Sequence, residues 1–80
     1  MNNKEIQVEV EKRYKQAKKK PTPDHICARI GRVIIQSGNA MMFADELKYS
    51  KAADKAVVKK NLIDALTMTI VEAHRCLETL

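Results

Sequence analysis

The chain has no tryptophan, one phenylalanine and two tyrosines in 80 residues. Its core must therefore be aliphatic, drawn from Ile, Val, Leu, Met and Ala. Two glycines and two prolines are too few for the many turns of a β-rich fold, so an all-α fold is expected. Cys27 and Cys76 are the only cysteines, and no CxxC or Cys/His spacing points to zinc. They read as buried free thiols in a reducing compartment. No apolar run follows Met1-Asn2-Asn3-Lys4-Glu5, so no signal peptide is predicted. No stretch approaches a membrane span in length, and a cytoplasmic protein is expected.

Positive charge is abundant instead, and it is uneven. The net charge is +5. Residues 1–20 hold seven basic and three acidic side chains, while residues 21–48 balance and residues 49–80 carry one excess base. That concentration suits an anionic partner such as a nucleotide, a nucleic acid or a lipid headgroup. It equally suits a solvated helix end that complements its own dipole.

Apolar spacing divides the chain into a basic N-terminal helix, residues 1–20, and a helical hairpin, residues 21–80, within one small domain. In the first segment Ile6, Val10, Tyr14 and Ala17 form one thin stripe, with Asn2 or Asn3 as the cap. The stripe is too narrow to hold a lone helix. Pro21-Thr22-Pro23-Asp24 then forms an elbow. Thr22 is placed to cap the next helix, with Pro23 at its first position. That helix, about residues 23–48, shows Ile26, Ile30, Val33 and Ile34, continued by Ser37, Met41, Ala44 and Leu47. Gly31 and Gly38 sit near one face and read as sites of close helix packing. Tyr49-Ser50-Lys51 is the predicted loop, with Ser50 capping a last helix over 51–79. There Ile63, Leu66, Ile70, Ala73, Leu77 and Leu80 alternate three and four apart, the expected inner seam. Thr67, Met68 and Val71 lie off it and suggest a second contact. A chain this short often completes its core with another copy, so a homo-oligomer is expected.

Enzyme signatures are thin, and no phosphate loop, nucleophile elbow or zinc-protease pattern occurs. Magnesium over a phosphate needs paired carboxylates. At the places where a helical pyrophosphohydrolase carries them, this chain reads Arg29-Ile30-Gly31-Arg32 and Asn61-Leu62-Ile63-Asp64. Arginine cannot ligate a metal, so a protein without enzymatic activity, metal or cofactor is expected. Arg29 and Arg32 share a helix face, and guanidinium forks suit phosphate; pairing with Asp24, Glu46 or Asp64 is the structural alternative. Tyr14 could stack on a base or fill its own stripe. His25 could donate to a phosphate or rest on the surface, and His74 suits the end of its helix. Tyr14, Lys18, Lys20, His25, Arg29 and Arg32 together flank the elbow as a candidate nucleotide pocket.

Pro21-Thr22-Pro23-Asp24 opening a helix, the Arg29/Arg32 face, and the closing helix from Asp54 through Leu62 and Leu66 to Ala73-His74-Arg75 form a recognisable outline. Over about residues 14–75 it resembles the small helical phage sponge proteins that counter CBASS and Thoeris immunity by sequestering cyclic nucleotide signals. The resemblance implies a compact helical oligomer, a hexamer, working in the host cytoplasm. It would hold cyclic di- or trinucleotides between subunits without cleaving them, with Tyr14 and Arg32 as the nearest matches to the family's ligand-holding residues. This chain sets Gln16 to Lys20 between the tyrosine and the proline, and Thr67-Met68-Thr69 where the family has a tryptophan. Two other expectations stand beside this one. One is an inhibitor docking its basic helix on an acidic protein, with Met42, Phe43, Met68 and Val71 exposed. The other is non-specific DNA or RNA binding through residues 12–20, which salt should abolish.

Overall fold

A computed structural model describes residues 1–19 and 25–80 of the chain. Three helices make up the fold: α1 (Asn3–Lys18), α2 (Ile26–Tyr49) and α3 (Ala52–Glu78). No strand occurs among the described residues. The all-α expectation holds, and α2 and α3 pack as a hairpin while α1 leans on α3 alone. Lys20, Thr22, Pro23, Asp24 and the rest of the elbow lie outside the described residues, so its caps are not placed.

Each helix end has a local cause. Asn2 caps α1 by accepting the Glu5 backbone N–H at 2.9 Å, as its sequence suggests. Helix α2 begins at Ile26 rather than near 23. The reason is His25, whose extended backbone and Nδ1, accepting from Cys27 N–H at 3.1 Å, make it the cap. The hairpin loop shortens to Ser50 and Lys51, because Tyr49 is still helical. Ser50 does not cap α3. Its hydroxyl donates back to the Glu46 carbonyl at 2.6 Å, and Lys51 takes the cap position without a side-chain bond.

The hairpin closes along a different seam from the one expected. On α2 the contact line runs Ile26, Arg29, Val33, Gln36, Ala40, Phe43 and Leu47, all buried or half-buried. Opposite it run Val58, Leu62, Ala65, Thr69, Glu72 and Cys76 of α3. Both lines keep the three-and-four alternation of antiparallel helix packing. The expected seam is mostly outside, since Leu66, Ile70, Leu77 and Leu80 are exposed. Two positions read as off the seam lie inside: Val71 is fully buried and Thr67 is buried. Val71 is therefore unavailable to a partner, and Phe43 and Met68 are half-buried. Helix α3 carries more than one apolar stripe, and α2 and α1 between them take the less greasy positions. The glycines are not at the hairpin contact either, because a methyl group built on Gly31 or Gly38 would meet open space. Cys76 is buried as expected, whereas Cys27 is exposed.

Helix α1 is held to α3 by few but specific contacts. Arg13 donates from Nη2 to Asp64 at 2.5 Å and from Nε to Glu9 at 2.8 Å. The Tyr14 ring lies 4.7 Å from the His74 ring, tilted by 58°. No residue of α1 is fully buried, so α1 is the least anchored part of the fold.

Candidate functional site

Because α1 rests on α3 and not on α2, a gap remains between α1 and α2. It is a cleft of about 530 Å³, within the usual range for small-molecule sites. Lys12, Arg13 and Gln16 of α1 form one wall and Arg32 and Gln36 of α2 the other, while Met68, Glu72 and Arg75 of α3 lie between them. Among the described lining residues four side chains are cationic, and Glu9 and Glu72 are acidic.

The charges differ in what they already hold. Arg13 is committed to Glu9 and Asp64. The Glu9 hydrogen bond raises its pKa most, burial opposes, and the bond to Asp64 adds to the rise. Arg32 and Lys12 are exposed and reach no hydrogen-bond or ion-pair partner among the described residues. Arg75 is buried and has interactions of its own. Glu72 is only 6% exposed; among the described residues its carboxylate takes no hydrogen bond or ion pair, and its oxygens keep access to solvent, unlike Tyr14 Oη. The carboxylate stays open to the cleft, whose rim is cationic.

The structure brings some of the expected site residues together. Arg29 donates from Nη1 to the Arg75 carbonyl at 3.4 Å. One residue earlier, His74 meets Tyr14, and Lys18 Nζ sits 5.4 Å from the Tyr14 ring centroid. Tyr14, Lys18 and Arg29 thus gather at the C-terminal end of α3. Among the described residues of the expected set, Arg32 alone lines the cleft. His25 is exposed and occupied in capping α2, and Lys20 lies outside the described residues. The Tyr14 ring is engaged by His74 and its hydroxyl is buried without a partner, which fits the stripe-filling reading better than base stacking. Asp64 is taken by Arg13 rather than by Arg29 or Arg32.

Lys12, Arg13, Glu72 and Arg75 were missed as a group. Their signal was present for Glu72 alone, a carboxylate at a contact-line position of α3 where neighbouring turns hold Ala65 and Cys76. Among the described residues no three His, Cys, Asp or Glu side chains gather as metal ligands, and no helix is long and apolar enough to cross a membrane. Comparison with protein-family models, with curated proteins and with solved structures finds no match to this chain. The resemblance to the phage sponge proteins thus rests on the spacing of the chain's own residues.

Proposed function

We propose that this chain binds a small nucleotide in the three-helix cleft and holds it without cleaving it. The observation that carries this reading is Glu72, a largely buried residue whose carboxylate opens on the cationic cleft and takes no bond from another described residue. A simple anion would gain from Arg32 and Lys12 but be repelled by Glu72. A ligand with phosphates at one end and N–H donors at the other satisfies both. Phosphates take the guanidinium and ammonium groups, and a base edge donates to the carboxylate. Guanine fits best, because its N1–H and N2–H donors are adjacent and match two carboxylate oxygens.

With the phage resemblance, the proposed ligand class is a cyclic di- or trinucleotide signal, and the proposed role is its sequestration from host antiviral immunity in the host cytoplasm. Binding neutralises phosphate charge and offers no catalytic step. The test is isothermal titration at physiological salt with cyclic di- and trinucleotides and ADP-ribose-type signals. Tight binding, intact ligand after denaturation, and a preference for guanine over adenine are expected. Heat from none of these ligands overturns the reading. A second reading, an inhibitor docking on another protein, is favoured by exposed Met42 and, two turns earlier on the same face of α2, exposed Ile35. Capture of one acidic protein by the wild-type chain, lost on Met42→Asp, would support it.

A further inference from the structure

The hairpin has two flanks, separated by its contact line. Arg32, Gln36, Met68 and Arg75 lie on the flank that forms the cleft. By helical phase, Ile30, Ile34 and Met41 of α2 and Leu66, Ile70 and Leu77 of α3 lie on the other. All six are between 46% and 76% exposed. Together they make one broad apolar face along both helices, bordered at Leu66 and Ile70 by Met1 and Ile6.

We propose that a second copy of this chain covers this face, the two hairpins packing against each other as a four-helix bundle. Three observations support that occupant. The first is pattern. The exposed residues recur at the three-and-four spacing that interlocks helices, and a helix apolar on two sides belongs inside an assembly. The second is area. The chain exposes 6018 Å², whereas a compact chain of 9.1 kDa should expose about 4,900 Å². The surplus of roughly 1,100 Å², to which the open cleft beside α1 also contributes, leaves room for the ~800 Å² that each partner contributes to a standard interface. The radius of gyration, 13.8 Å, is likewise larger than the ~12 Å of a compact chain of this length.

The third is self-complementarity. The stripes Ile30–Met41 on α2 and Leu66–Leu77 on α3 have the same length, about three helical turns, and run antiparallel. A two-fold axis can therefore lay each stripe along one of the same length in the other copy. Neither stripe is interrupted by a charge between Ile30 and Ala44 or between Ile63 and Leu80 along its own phase. An acidic or basic foreign partner would find no counter-charge there. This inference stands apart from the nucleotide reading, since the cleft lies on the other flank.

The experiment is light scattering and sedimentation of the full chain from about 1 to about 100 µM, with thermal unfolding at each concentration. The expected mass is two chains or an even multiple, with a Tm that rises with concentration. Ile34→Asp and Leu66→Asp bury a charge in the interface and should weaken self-association at least about 100-fold. Val8→Asp, an equal change on exposed α1, should leave it intact. Should the Asp variants unfold, the wild-type mass and the concentration dependence of its Tm still decide. A one-chain mass with a concentration-independent Tm overturns the proposal and leaves the face to another partner. So does an odd number of chains, or an unchanged mass in folded Ile34→Asp and Leu66→Asp.

Discussion

Beneath α1, the hairpin presents Arg32, Glu72 and Arg75 around a cleft that stays open. On the opposite flank it presents exposed Ile30 and Ile34, and Leu66 and Ile70, which are half-exposed and bordered by Met1 and Ile6. The same two helices make both surfaces, on opposite sides of their contact line. The difference lies in what each can do with a neighbour. Aliphatic surface closes on any surface of matching shape, because its burial is favourable and non-directional. Charged surface closes only on a partner that supplies the right counter-groups, because desolvation otherwise outweighs attraction. So α1 stops short on the charged side, touching α3 through Arg13 and Tyr14, and the gap it leaves is the candidate site.

The sharpest way to break this contrast is to move charge from one flank to the other. Leu66→Asp should weaken self-association at least about 100-fold, read by sedimentation, while leaving ligand affinity per chain near wild type. Arg32→Ala should do the reverse. It removes a partner-free guanidinium from the rim and should weaken nucleotide binding about tenfold, or ~1.4 kcal/mol, by titration calorimetry at unchanged mass. Glu72→Ala should narrow the preference for guanine over adenine, and an unaltered preference would remove Glu72 from the site.

Smaller effects test how α1 frames the cleft. Arg13→Ala removes a partly exposed ion pair and should cost about 0.5–1 kcal/mol, with faster amide exchange confined to α1. The raised Arg13 pKa fixes the sign of its pH dependence. The contribution is complete below the unfolded-state value and is lost only as pH climbs past the folded one. Docking of α1 should thus show no loss through Arg13 deprotonation between about pH 7 and about pH 10. Tyr14→Phe deletes a buried hydroxyl that has no partner and should raise stability slightly, by about 0.5 kcal/mol. A clear loss of stability or ligand binding would show that the hydroxyl is used.

The fold was largely legible because helices announce themselves by period and by caps. Asn2 and the Ile26-to-Leu47 pattern are examples. Which apolar stripe faces inward was not legible. Ile63, Leu66, Ile70 and Leu77 form a greasier line than Val58, Ala65, Glu72 and Cys76, and hydrophobicity along one chain cannot tell an internal contact from an external one. The site was legible only at Arg32. The sequence draws attention to clusters such as Lys18-Lys19-Lys20, whereas the cleft collects Lys12, Arg32, Glu72 and Arg75 from three separate helices. Only the way α1 leans on α3 puts them together. His25 was read as a donor, but backbone geometry makes its ring an acceptor at the start of α2.

The two-residue link at Ser50 and Lys51 also sets an order of events. Helices joined so tightly meet as soon as they form, since closing so short a loop costs little chain entropy and their contacts begin close to the turn. The hairpin should therefore zip from Lys51 outward on a fast timescale typical of local topologies. Contacts such as Arg13 with Asp64, which span 51 positions, must wait for that scaffold. The cleft would then be the last feature of the chain to appear during folding and the first to vanish on unfolding.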